Sequence, residues 1–566
     1  STVAPRRYVA PSKDEGERFR QANLPRRIPD MRQPTNFRLA RPGEKLPNGQ
    51  DPPLYDVWRS SYKAMDEFGI GVGLYYRQLL LLGVVIMICV IIYIPSIVHN
   101  AGFNDSDTPW ILTGTAHNAE RDDISLNLNG VPDLIVTLML VLFAVASRKL
   151  EKLAVETIDT AQQTPQDYSV CIHKPPRAPE LINPDTYYEK FKTHGEIAFI
   201  TICFENGNLM KAVAKKRVIE HKIHALKAHQ NMSAKDDDTA KQDKAHRTTA
   251  DLKNWQAWLQ AKLGLFETND YLEDTLRENK KMLKGLAHGS YEPSRVYITF
   301  QTEHAQRKCL KAVETGLWEE YVSRWRKKDV NQEAVIGGKV CRIDEAEEPS
   351  EILWENIDTT IYRRALTWAL AGFLSAVFLT SGFFILRAIS GTGTLVSAIF
   401  IALINAVLPL VIRGLTLAIE EHKSLTHVQA SMMFKLVVTR GINSAFLLFI
   451  ITGDTEQLDA DTLQQIMLIL LADAFTAPFL RLTNVADQIG RKLVGSKAKT
   501  QAEMNVFFQG AQWNLAERYT DMIKTVFVGL FYSAIVPTGL IVTAVAMVSL
   551  YWVDKYSLLR QWKRPP

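Results

Sequence analysis

Apolar residues along this chain gather into blocks separated by strongly polar stretches. Seven blocks stand out: Tyr76–Val98, Val131–Ser147, Arg364–Ile389, Leu395–Ile419, Val428–Thr452, Leu463–Leu482 and Met522–Val553. Each is near the length a helix needs to cross a bilayer, roughly 20 residues. Each is also flanked by the charges expected at a headgroup boundary. The pattern predicts a mainly α, polytopic helical membrane protein.

The polar stretches differ in charge. Loop 99–130 has one basic residue, Arg121, against Asp105, Asp107, Glu120, Asp122 and Asp123, and contains the glycosylation acceptor Asn104-Asp105-Ser106. The opposite flanks carry Arg148, Lys149, Lys152, Arg363, Arg364, Arg481, Arg491, Lys492, Lys497 and Lys499. This asymmetry places an N-terminal arm and membrane entrance (1–75) and segment 149–360 in the cytosol, with two spans (76–148) between them. Residues 1–57, with Pro25-Arg26-Arg27 and Pro52-Pro53, read as an extended or disordered arm. The chain from 361 to 560 is expected to form a bundle of four spans and a final hairpin. The last block ends at Lys555, Arg560, Lys563 and Arg564, on the side where it began. Its apolar length of about 32 residues, roughly 48 Å as helix, is too short for two full crossings. Pro537 and Gly539 break it, so a re-entrant hairpin over 522–553 is expected, with its tip at Val536–Gly539.

Segment 149–360 changes period. Tyr168–His173, Ile197–Phe204, Arg295–Phe300 and Gly338–Ile343 read as strands, and Asn183–Phe191 and Glu303–Val313 as helices. The order strand, helix, strand, strand, helix, strand predicts an α+β domain like the RNA-recognition motif (RRM), with a helical insertion over 208–288. Tyr297 and Phe300 would stack on bases in an RNA-binding sheet. Core packing is the better reading, because the first strand offers no matching aromatic pair. In the insertion, Trp255, Trp258, Leu259, Leu263 and Phe266 recur at helical spacing beside Lys253 and Lys262. That stripe suits a helix in a membrane interface and equally one packed on the protein.

Composition changes this picture little. A hydrophobic share of 47 % and a mean hydropathy of -0.07 over 566 residues look soluble only because the blocks are averaged with what lies between. A net charge of +5 gives no reason to expect nucleic acid as a partner. Five cysteines without a CxxC pair suggest neither a zinc site nor a disulfide framework. No P-loop, HExxH, GxSxG or EF-hand pattern occurs. Gly69–Gly73 leads into a span and reads as flexible backbone at a membrane entrance. An enzyme is not expected, and no catalytic residue, metal or cofactor is assigned.

The informative side chains are polar ones inside the blocks, which are costly there and tend to be paired or to line a path. Arg440 lies about 18 Å from one side and Asp473 about 15 Å from the other, nearly the same level. Asn405 and Asn443 fall close to it. An Arg440–Asp473 pair that only fixes the bundle and a wet route for ions or headgroups explain this layer equally well. Arg413, Lys435 and Arg481 sit lower, placed to snorkel toward lipid phosphates or to adjoin a gate. Pro409, Gly441 and Pro478, with Pro537 and Gly539 in the hairpin, offer hinges.

Two stretches carry a family resemblance. Ala346-Glu-Glu-Pro-Ser-Glu-Ile-Leu-Trp-Glu-Asn-Ile357 and Tyr551-Trp-Val-Asp-Lys-Tyr-Ser-Leu-Leu-Arg560 resemble signatures of the OSCA-type mechanosensitive, hyperosmolality-gated calcium-permeable channels. That family shares a superfamily with the anoctamins and the transmembrane channel-like proteins. The resemblance covers roughly 76–560. It implies an anoctamin-like fold with a cytosolic RRM-like domain, and a tension-gated pore among the middle spans. It also implies an insertion that dips into the inner leaflet, a role matching the Trp255–Phe266 face. The partners it implies are the lipid bilayer, permeant cations such as calcium, sodium and potassium, and a second copy in a homodimer. The membrane would be the plasma membrane or another cellular membrane. A phospholipid scramblase of the same superfamily is the alternative function. The family pattern has one more span ahead of the first block and two beyond the second motif, which opens a third reading, a non-conducting structural subunit.

Overall fold

The computed structural model describes residues 11–29, 37–41, 43–102, 109–116, 123–159, 164–236, 269–315, 332–389, 394–446, 460–495, 498 and 500–563. Asn104 and the Trp255, Trp258, Leu259, Leu263 and Phe266 stripe lie outside the described residues.

The N-terminal arm is folded, contrary to the expectation of an extended tail. It forms α1 (Lys13–Asn23), an antiparallel pair β1 (Arg27–Pro29) and β2 (Phe37–Leu39), and a 3-10 turn over Tyr62–Phe68. Tyr55, Met65 and Phe68 are buried in one core with Tyr75, Tyr76, Leu79, Met522 and Leu550. Arg27 donates twice to the Glu67 carboxylate, at 2.6 and 3.1 Å, and the Tyr55 hydroxyl donates to it at 2.5 Å. A few large side chains at irregular spacing make these contacts, so no periodicity announces them.

The first two long helices are α2 (Ile70–Ala101) and α3 (Asp123–Asp159). The expected domain boundary at 148/149 therefore falls inside a helix. In the Gly69–Gly73 entrance, close packing explains Gly71 and Gly73, and a positive φ of 109 explains Gly69. A Cβ on Gly73 would come within 2.3 Å of the Asp66 carboxylate.

Next come β3 (Ser169–His173), α4 (Pro184–Phe191), β4 (Ile197–Phe204), α5 (Gly207–Asp236), α6 (Asn269–Ala287), β5 (Pro293–Phe300) and α7 (Glu303–Val313). Asn183 caps α4 by accepting from the Asp185 amide at 3.0 Å, with Pro184 in the first turn. The fourth strand is displaced from its predicted place. Gly337 and Gly338, at φ 54 and 77, turn a small hairpin of β6 (Val335–Ile336) and β7 (Lys339–Val340), and the sheet strand is β8 (Arg342–Glu345). The sheet is antiparallel in the order β4-β5-β3-β8. One face is covered by helices and the other only in part, since Phe199 on β4 is exposed. Phe300 packs with Phe191 and Val313 on one, and Tyr297 packs with Ile352 and edge-on to Trp354 on the other, with ring centroids 6.1 Å apart.

The remaining elements are α8 (Ile361–Ile389), α9 (Thr394–Ile419), α10 (Leu425–Gly441), α11 (Ala460–Thr483), α12 (Val485–Ile489), α13 (Gln501–Phe508), α14 (Leu515–Phe531) and α15 (Gly539–Arg560). α10 runs on as a π turn over Ile442–Phe446. Among the described residues, six helices are long and apolar enough to cross a membrane: α2, α3, α8, α9, α11 and α15. The chain is thus mostly helical, consistent with a multi-pass membrane protein. The side of the bundle holding Arg481, Arg491, Lys492 and Arg560 is called its basic end below.

The expected hairpin forms with its turn between Phe531 and Gly539, but its arms are longer than expected. α14 and α15 are about 25 and 33 Å long. Their turn packs Val536 with Ile111 and Leu112, and the Ala116 amide donates to Ile535 O at 3.0 Å. The hairpin thus runs from the basic end to loop 99–130. An apolar count starting at Met522 missed half of α14, because that half carries Glu517, Arg518 and Asp521 inside the bundle.

The segment before α8 joins the sheet to the bundle. Leu353 N donates to Lys423 O and Leu425 N to Glu351 O, both at 2.8 Å, and Asn356 Nδ2 donates to His422 O at 3.0 Å.

Candidate functional site: a polar seam inside the bundle

Two polar layers adjoin between α9, α10, α11, α14 and α15. The first is made of amides. Asn405 Nδ2 donates to Ser444 Oγ at 2.7 Å, and Asn443 Nδ2 donates to Asn405 Oδ1 at 3.0 Å and to Ile401 O at 3.3 Å. The π turn after Gly441 brings Asn443 and Ser444 together toward α9. Arg440 links this layer to the next by donating to Asn405 O at 3.0 Å.

The second layer is charged. Asp521 accepts ion pairs from both Arg440 and Arg481. Asp554 accepts from Arg481 at 2.6 Å, from Arg518 at 3.2 Å and from the Tyr75 hydroxyl at 2.5 Å. Arg518 also lies over the Trp562 ring at 3.7 Å. All of these charged groups are buried. Desolvating them is expensive, and partners with several hydrogen bonds each offset that cost.

These layers border a cavity of about 230 Å³, running from Asn405, Pro409 and Arg440 to Asn484, Ala511 and Trp562 at the basic end. Its walls also carry Arg481, Glu517, Arg518, Asp521 and Lys524. A lining of this kind suits water and ions, because each charge offers hydrogen-bonding capacity to whatever enters.

Asn405, Arg440 and Asn443 come together. Asp473 lies on α11, with its side chain outside the described residues. Lys435 and Arg481 do not snorkel. Lys435 is buried on Glu420, with Ser431 Oγ 2.8 Å away, and His422 also reaches Glu420 at 2.6 Å. Arg413 is half-buried and donates to Gln512 at 3.4 Å. Helices α9 and α11 continue through Pro409 and Pro478, so the breaks fall elsewhere, at the π turn after Gly441, at Asn484 (φ 46) and between Phe531 and Gly539.

The sequence reading missed Tyr75, Arg518, Asp521 and Asp554. One signal was present: Arg518, Asp521 and Lys524 recur every third residue just ahead of an apolar run, which puts them on one side of a helix.

A second cluster lies in the sheet. Cys171, His173 and Asp344 place their ligand atoms within 4.8 Å of one another. Asp344 is already held by His173 at 2.6 Å and Arg342 at 2.5 Å, and the cationic Arg295 bears on Cys171. Burial also pushes the Cys171 thiol up to about 12. The trio therefore fits a metal poorly. Comparison with protein-family models and with curated proteins finds no match.

Proposed function

We propose that the chain is a subunit of a mechanically or osmotically gated, calcium-permeable cation channel of the OSCA type, with the polar cavity as its closed conduction route. The observation that carries this reading is the cavity itself: a charged, hydratable space among helices of membrane-spanning length, closed by carboxylates shared between arginines. The strand order β4-β5-β3-β8 supports reading the small sheet as RRM-like. In this proposal tension splays α10 from α14, the Arg440–Asp521–Arg481 bridge parts, and Asp521 faces the route as its cation-attracting group. The helix breaks beside the amide layer supply the freedom. Pressure-clamped patches from proteoliposomes of the full chain test it. Tension-evoked current is expected, with calcium, sodium and potassium permeability altered by Asp521→Asn or Asn405→Ala. Silence under tension would sink the reading.

One observation favours a second reading, the phospholipid scramblase. On the cavity wall Arg440, Arg481, Arg518 and Lys524 outnumber Glu517 and Asp521, which suits phosphate headgroups better than cations. Bleaching of fluorescent lipids in liposomes separates the two. Scrambling without current supports this reading, and current without scrambling supports the first.

A further inference from the structure

A second cavity at the basic end, of about 440 Å³, belongs to neither layer. Five cationic side chains from three separate parts of the chain converge on it: Lys13 and Arg20 from α1, Arg491 and Lys492 from the π turn after α12, and Arg560 from the end of α15. Among the described residues, no carboxylate lines it. The acids within reach include Asp487, 3.4 Å from Arg491, Glu17, 3.5 Å from Arg20, and the exposed Asp56, which acts on Arg560, and the five cations outnumber these three. Among the described residues, Lys13 and Lys492 have no ion-pair partner. Arg560 donates only to backbone carbonyls, those of Leu559 at 2.9 Å and Tyr55 at 2.5 Å.

Like charges do not gather around a shared space without cost, and an anion placed among them offsets that cost. The volume exceeds what one phosphate needs, since a water takes only about 30 Å³. Cations on separate walls match a ligand with two or more phosphates. Phe508 and Tyr556 add aromatic surface to the lining, which suits the carbon ring of a small cyclic polyol.

The wall contributed by α1 is held in place. Ser12 N donates to Gln501 Oε1 at 2.6 Å, and a Cβ on Gly16 would come within 3.1 Å of the Phe508 ring. If the six apolar helices cross a bilayer, this pocket lies at their basic end, at the level of headgroup phosphates.

We propose that this pocket binds a polyphosphorylated cyclic polyol, either the headgroup of a phosphoinositide lipid or a free inositol polyphosphate, and that the ligand clamps α1 to the ends of α11 and α15. The site shares Asn484 with the end of the first cavity but none of its charged side chains, and it does not depend on any reading of that cavity.

The full chain in phosphatidylcholine nanodiscs is titrated with inositol trisphosphate, and its melting is compared in nanodiscs containing phosphatidylinositol bisphosphate or phosphatidylserine. Binding of either probe is expected, well above that of inorganic sulfate or phosphatidylserine. Binding of both, or of the lipid alone, assigns a headgroup site; binding of the soluble probe alone assigns a free polyphosphate site. Arg491→Gln with Lys492→Gln, and Lys13→Gln with Arg20→Gln, should each weaken binding by about tenfold or more, since hydrogen bonds to charged groups are the strong ones. Lys492→Arg should bind like the parent, as should Lys281→Gln with Lys284→Gln on α6, which keeps the total charge of the double variants. If the parent chain binds neither probe better than sulfate and phosphatidylserine, or if the α6 control weakens binding as much as the pocket variants, the proposal fails.

Discussion

The amide layer and the charged layer of the bundle adjoin one another, yet they are held in different ways. Asn405, Asn443 and Ser444 form a short neutral chain between two neighbouring segments, and each link is one hydrogen bond. Tyr75, Arg440, Arg481, Arg518, Asp521 and Asp554 come from five helices, and each carboxylate serves more than one cation. Losing an amide loosens a local contact. Losing a carboxylate strands buried cations that were sharing it. Neutral polar groups thus tune the seam, while shared carboxylates keep its helices together.

The sharpest way to break this contrast is Asp521→Asn, which keeps the shape and removes the charge shared by Arg440 and Arg481. A loss of about 3–5 kcal/mol is expected, the usual cost of breaking a buried pair, read as an earlier loss of the monodisperse peak on heating in detergent. If Asp521→Asn costs no more than an amide substitution, the two layers do not differ as argued. Asn405→Ala should cost about 1–3 kcal/mol, because Asn443 and Ser444 lose a buried partner. Tyr75→Phe should cost somewhat less, about 1.5 kcal/mol, since Asp554 keeps both arginines.

The smallest effect lies outside the bundle, at the joint between sheet and α10. Burial, and then Arg295, Lys174 and Arg364, hold Lys423 down to about 8, against an ordinary value of 10.5. Below about pH 8 it is charged in both folded and unfolded chains, and the burden of the buried cation is complete. Between about 8 and 10.5 the unfolded chain binds more protons, so stability rises with pH across that window. Lys423→Met should flatten the rise, which thermal melts across the window would show.

Legibility followed the range of the contacts. In the sheet, Ile197–Phe204 and Glu303–Val313 stand where alternation and capping placed them, because neighbouring residues decide those elements. The displaced β8 is a turn-chemistry error, since Gly337-Gly338 closes a hairpin that the apolar run of Gly338–Ile343 concealed. The apolar blocks were readable because bilayer-length runs are long. Asp521 was hidden because a charge is read from sequence as marking the end of a span, whereas here Arg440 and Arg481 neutralise it from segments 40 or more positions away. The folded arm was hidden for a similar reason: Glu67 and Tyr55 are meaningful only once Arg27 and Arg560 are beside them.

The two main-chain links between Glu351–Leu353 and Lys423–Leu425 couple distant parts mechanically. They use peptide groups, so they survive side-chain drift over evolutionary time. They make the sheet a tiller for α10, whose far end carries the π turn and Asn443. An antibody fragment gripping the sheet would apply torque to that turn from outside the bundle.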